Sequence, residues 1–176
     1  ATNTGRGRGT TSVEDGFTAA SAPGLGSDPR FIVSRVGAGL DWRPSAGYAR
    51  RGGLYAVTLH DYLHTDDDYS FRRLDANVVQ HLPVIRESLV LSLRGRVQSV
   101  LGDDPVPFYL LPSLGSGSTL RGFSSYRFRD RHSLLMSAEY RWTPNRAALD
   151  AAIFIDSGKV AAERGDLNFD GLKTST

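Results

Sequence analysis

From residue 30 onward, apolar and polar residues alternate with a period of two in six successive runs. The first places Ile32, Ser34, Val36, Ala38, Leu40 and Trp42 on one side, mostly apolar, and Val33, Arg35, Gly37, Gly39 and Asp41 on the other. Run 53–62 sets Tyr55, Val57 and Leu59 on a shared side, and run 70–82 opposes Leu74, Ala76, Val78 and Leu82 to Arg73, Asp75, Asn77 and His81. Run 87–99 is clear, with Leu89, Leu91, Leu93, Gly95 and Val97 against Ser92, Arg94, Arg96 and Gln98. Run 132–142 sets Leu134, Met136, Ala138, Tyr140 and Trp142 against Ser133, Ser137, Glu139 and Arg141. Run 147–158 sets Leu149, Ala151, Ile153 and Ile155 against Asp150, Phe154 and Asp156. Successive side chains of a strand point to opposite faces, so each run predicts a strand with one greasy and one polar side.

These strands span about 10 to 13 residues, longer than the five or six usual in soluble sheets, whereas a tilted strand needs about 9 to 11 to cross a bilayer. The connections alternate as well. Residues 43–52, 83–87 and 143–147 lie at one end, and 64–68 with the long 102–131 at the other, the arrangement of short turns and longer external loops found in outer-membrane barrels. Trp42, Tyr140 and Trp142 fall at strand ends on the apolar side, where an interfacial aromatic girdle belongs. Two all-β architectures fit the alternation: an antiparallel transmembrane β-barrel and a soluble β-sandwich. Strand length favours the barrel. So do Arg94, Arg96, Glu139, Arg141 and Asp156, whose charge suits a wet lumen.

Composition narrows the function. The 176 residues carry 21 Lys and Arg against 19 Asp and Glu, a net charge of +2. Nucleic-acid binding needs a concentrated basic face, so no nucleic-acid partner is expected. The absence of Cys removes disulfide scaffolds, thiolate zinc sites and cysteine nucleophiles. Nineteen Gly and eight Pro beside one Met fit a turn-rich β protein. No apolar run approaches the roughly 18 residues of a transmembrane helix. Residues 1–29, with Gly5-Arg6-Gly7-Arg8-Gly9 and Pro23-Gly24-Leu25-Gly26, read as a Gly/Ser-rich loop region ahead of a barrel domain at 30–176.

Candidate chemistry is sparse. His60 and His64 lie about 13 Å apart on an extended strand, too far to share a metal. Asp66, Asp67 and Asp68 read as a solvated external loop. Gly115-Ser116-Gly117-Ser118 is not a nucleophile elbow. Asp150 and Asp156 stand about 20 Å apart along one strand, beyond the reach of a shared reaction centre. No catalytic residue, metal or cofactor is therefore expected. Segment 102–131 is different. It has no period, yet it is too apolar for disorder, and loops of that length in a compact protein are usually functional.

Within that segment Leu120-Arg121-Gly122-Phe123, preceded by Gly115 and Gly117, resembles the Leu/Val-Arg-Gly-Phe/Tyr motif of the BamA/TamA-like outer-membrane assembly-factor family, also called the bacterial surface antigen family. Glu139-Tyr140-Arg141 resembles the strand that follows the motif loop in that family. Phe154-Ile155-Asp156-Ser157-Gly158 resembles its Phe-x-Asp-x-Gly motif, and Asp41-Trp42-Arg43-Pro44 with Arg51-Gly52-Gly53 an earlier strand-turn-strand. Order and spacing agree over about residues 30–173.

The resemblance implies a barrel of about sixteen strands, with periplasmic modules before it. This chain would supply six to seven interior strands of it, with further strands after Thr176. It implies that loop 102–131 folds into the lumen, that Arg121 there meets Asp156, and that Glu139 is the second contact. It also implies a function: an outer-membrane β-barrel of an assembly or insertion factor, in the bacterial outer membrane, which helps other barrel proteins fold or insert. Its partners would be the lipid bilayer, unfolded outer-membrane or secreted polypeptide clients, and periplasmic accessory proteins. A polypeptide-secretion pore, or a translocator domain fused to an upstream enzyme, would use the same fold. A soluble β-sandwich binding module remains the alternative outside it.

Overall fold

The structure, a computed structural model, describes residues 18, 22–26, 29–65, 69–85, 88–142 and 150–176. The Gly-Arg stretch at 5–9, the aspartates at 66–68, Leu149 and the turn at 143–147 lie outside the described residues.

Long strands follow the alternation. They are β1 (Phe31–Asp41), β2 (Gly52–His64), β3 (Phe71–Ile85), β4 (Leu89–Leu101), β7 (His132–Trp142) and β8 (Ala151–Ala161). With the short β9 (Lys173–Ser175) they form one antiparallel sheet in the order β1-β2-β3-β4-β7-β8-β9. Because each strand pairs with the next long strand in sequence, the sheet needs no crossover, and the longest connection is loop 102–131 between β4 and β7.

The register keeps the two faces continuous from strand to strand. Leu40 stands opposite Tyr55, Tyr55 opposite Val78, Val78 opposite Gly95 and Gly95 opposite Met136. Likewise Leu91 stands opposite Tyr140, and Tyr140 opposite Ile153. Among the described residues, nothing covers this apolar face. Val36 is 74% exposed, Ile153 72% and Val57 48%, values that a soluble core would not leave. Trp42 packs edge-on against Tyr55 at one end of that face, with ring centroids 4.8 Å apart. The opposite face carries Asn77, Arg94, Arg96, Ser137, Glu139 and Asp156.

The core lies between this second face and loop 102–131. One cluster joins Tyr62, Phe71, Val100 and Val106, with Phe31, Leu110 and Leu111 against it. The other joins Leu114, Leu120 and Leu135, flanked by Phe123, Phe128 and Val160. The face expected to be polar thus carries two apolar patches, where Val106 and where Leu114 and Leu120 of the loop rest on it.

Three sequence expectations need correction. Segment 102–131, read as having no regular structure, contains a single 3-10 turn at Phe108–Leu110 and a two-stranded hairpin of β5 (Ser113–Leu114) with β6 (Phe128–Arg129). Elements of two or three residues are too short to show a period. The run drawn at 147–158 is a strand from Ala151 to Ala161, because Gly158, Val160 and Ala161 continue the pairing with β7. The run drawn at 70–82 extends to Ile85, with a register shift between Pro83 and Ile85. Proline donates no ladder hydrogen bond, and Pro83 falls beyond the last residue of β3 that pairs with β2, next to this irregularity.

Candidate functional site

Loop 102–131 is tied to the inner face of the sheet at successive depths along the strands. Near the loop's own end, Arg73 of β3 donates from Nη1 to the Leu110 carbonyl at 3.0 Å and from Nη2 to Tyr62 Oη at 3.1 Å. Further in, Arg94 of β4 donates to the Ser118 carbonyl at 2.8 Å and to Asn77 Oδ1 at 3.2 Å. Both arginines bind loop carbonyls, so they hold backbone position and not side-chain identity.

Arg121 makes the third and densest attachment. Its Nε and Nη2 donate to Oδ2 and Oδ1 of Asp156 at 2.7 and 2.8 Å. The Arg121 backbone N–H donates to Oδ2 at 3.1 Å, and Nη1 donates to Glu139 Oε2 at 2.5 Å. The Ser137 hydroxyl donates to Asp156 Oδ1. Asp156 has no exposed side-chain surface, while Arg121 and Glu139 each keep about a quarter of theirs. Two parallel N–H···O bonds to one carboxylate fix the plane of the guanidinium as well as its distance. Phe154 fixes the other side of that plane, with its ring centroid 3.6 Å from the guanidinium carbon. Hydrogen bonding to Asp156 raises the Arg121 pKa above its ordinary value, against the opposing effect of burial.

The local sequence explains why these groups converge. Phe154, Asp156 and Gly158 occupy alternate positions of β8, so all three face the loop. Across the ladder, Phe154 pairs with Glu139 and Asp156 with Ser137, which places both acids and the hydroxyl side by side. Gly158 supplies room. A Cβ there would lie 2.8 Å from Leu114 Cδ1 and 3.0 Å from the Leu134 carbonyl. On the loop side, Leu120 is fully buried next to Arg121 and drives the motif into the face. Gly115 permits the fold-back, with φ +103° and only 2.3 Å between a would-be Cβ and the Ser124 carbonyl.

Leu120, Arg121 and Phe123 from the loop, Glu139 from β7, and Phe154, Asp156 and Gly158 from β8 therefore meet in one place. Gly122 sits at φ +84° beside Ser175 of β9. Sequence reasoning missed Ser137, Arg73 and Arg94 as partners of the site. Alternation puts each on the inner face, but only the register reveals which residue stands beside which. His60 stacks on Tyr62 instead, with centroids 6.3 Å apart.

Gly158 gives a direct test of the seat. Gly158→Ala should push Leu114 outward and expose loop 102–131 to protease in the assembled protein. Gly95→Ala should leave protection unchanged, since nothing lies within 4 Å of a Cβ there. Equal protection in the two variants would show that the loop does not depend on the space at 158.

A family profile described as the Omp85 superfamily domain matches residues 25–175. Among solved structures, the crystal structure of BamA from Haemophilus ducreyi lacking POTRA domains 1-3 is similar, with a TM-score of 0.64 at 16% sequence identity. The match covers 73% of this chain and 29% of that one. At that identity the likeness concerns the fold: the antiparallel sheet is laid out as part of a barrel of that kind. No curated protein matches.

Proposed function

The chain belongs to the Omp85 superfamily, and from that premise we propose that it contributes wall strands and an inward-folded loop to a bacterial outer-membrane barrel that helps other outer-membrane proteins fold or insert. Residues 30–176 are the barrel segment. The bilayer covers the bare apolar face, and the clients are unfolded outer-membrane polypeptides, with periplasmic accessory proteins as further partners. The observation that carries this reading is the attachment of Arg121 to Asp156, Glu139 and Phe154. It latches a long loop against the face turned away from lipid. A latch that is strong but partly wet can hold the loop while remaining able to release it. No bond of a client is made or broken in this reading.

The test uses the full-length protein. Its gene is replaced by an Arg121→Ala allele, and the folded fraction of several unrelated outer-membrane barrels is measured by heat-modifiable gel mobility. A several-fold fall across all of them is expected. Loss of one secreted polypeptide with the barrels unaffected would identify a secretion pore instead.

A further inference from the structure

Arg141 lies two residues beyond Glu139 on β7 and points to the same face. Its Nη2 donates to the Ala49 carbonyl at 2.9 Å and to Ser92 Oγ at 2.9 Å. Its guanidinium carbon stands 5.1 Å from the centroid of the Tyr48 ring. Tyr48 and Ala49 belong to the connection between β1 and β2, at the end of the sheet opposite loop 102–131. That connection crosses β3 and β4 to reach β7. Ala49 is only 4% exposed as a result. Arg141 is thus the clasp of a turn at one mouth, as Arg121 is the clasp of the loop entering from the other.

Glu139 stands between the two clasps. Its Oε2 accepts from Arg121 Nη1 at 2.5 Å, while its Oε1 lies 3.4 Å from Arg141 Nε. The second distance is an ion pair but not a hydrogen bond, and Arg141 Nε is buried with no hydrogen-bond partner among the described residues. A buried guanidinium N–H left unsatisfied is unfavourable, so a carboxylate free to turn toward it would do so. Space exists for that turn. A cavity of about 310 Å³ is bordered by Arg121, Ser137, Glu139 and Arg141. With the loop seated, Arg121 holds the shared carboxylate and Arg141 goes short.

We propose that Glu139 is exchanged between the two arginines: when Arg121 leaves its seat, Glu139 passes to Arg141 Nε and the 43–51 turn is held more firmly. Loop seating at one mouth and turn docking at the other are then coupled with opposite sign, and by reciprocity a partner that loosens the turn favours the seated loop. The inference rests on the loop being a releasable element, as in the function proposed above. Its test is separable from that one, because it reads the turn and not the clients.

Hydrogen–deuterium exchange is measured on the full-length protein in liposomes, with peptides covering 115–123 and 43–51. Arg121→Ala should speed exchange over 115–123 and slow it several-fold over 43–51. Arg121→Gln, which keeps part of the bulk and an N–H donor but loses the charge, should act in the same direction and serves if the alanine variant fails to assemble. Glu139→Gln should speed exchange over 43–51, and in its presence Arg121→Ala should no longer slow it. Unchanged or faster exchange over 43–51 in the Arg121 variants would overturn the exchange of Glu139, even where client insertion is impaired. So would a loop that stays protected without Arg121.

Discussion

Arg121→Ala is expected to release loop 102–131 and to cost more than Asp156→Ala. The reason is what each substitution leaves behind. Without the Arg121 side chain, the fully buried Asp156 carboxylate keeps only the Ser137 hydroxyl and, while the loop stays seated, the backbone N–H of residue 121. Stranding one member of a buried ion pair costs about 3–5 kcal/mol, and the wetness of the site places this case near the lower end. Without Asp156, Arg121 still has Glu139 and the Phe154 ring, so the loss is that of charge-assisted hydrogen bonds, about 1.5–3 kcal/mol. The double variant removes the stranded charge together with its partner. It should be no less stable than Arg121→Ala alone, and loop protection from protease should be the same in both. That non-additivity marks one shared interaction. Arg121→Lys should recover part of the effect, since an ammonium keeps the charge but loses the fork and the flat stack on Phe154. A geometric check is available. Cysteines replacing Arg121 and Asp156 should crosslink in the assembled barrel. No crosslink, together with additive alanine effects, would mean that the two residues do not act as partners.

The parts legible in the sequence were those that repeat. Alternation in Leu89 to Gln98 or Ser133 to Trp142 assigns each side chain to a face without knowledge of any neighbour, and the sheet places them on those faces. The family resemblance grouped Arg121, Glu139 and Asp156, because each sits in one of the motifs that carry it. What could not be read was lateral. Ser137 stands opposite Asp156 because β7 and β8 pair in one register out of several that the alternation allows. Arg73 and Arg94 bind loop carbonyls, which leave no trace in side-chain pattern. The hairpin of Ser113–Leu114 with Phe128–Arg129 is too short to have a period and is set by what the loop rests upon. For the same reason alternation gives no cause for Leu135 and Val160, apolar residues on a face expected to be polar. They are the floor beneath Leu120.

The face turned away from the loop supplies the second large effect, and a single pair of adjacent residues isolates it. Val57 and Thr58 follow one another on β2, so their side chains leave opposite faces of the sheet. Val57 stands between Ala38 and Ala76 on the bare apolar face and is 48% exposed. Thr58 stands between Gly37 and Asp75 on the inner face. Val57→Arg would place a guanidinium in hydrocarbon near the middle of a spanning strand, a cost of about 2–4 kcal/mol in barrels of this type. Thr58→Arg would place the same group in a wet interior, beside a carboxylate and opposite a glycine. The first variant should assemble poorly, with most of the protein failing to show heat-modifiable mobility. The second should assemble almost as well as the parent. Val57→Ala adds a discriminating control. In a soluble sandwich Val57 would be packed by a second sheet, and its truncation would leave a cavity worth about 1 kcal/mol or more. Against lipid, which closes any gap, the truncation should cost far less. If Val57→Arg and Thr58→Arg assemble equally well, the apolar face does not meet a bilayer, and the membrane placement of the sheet fails with it.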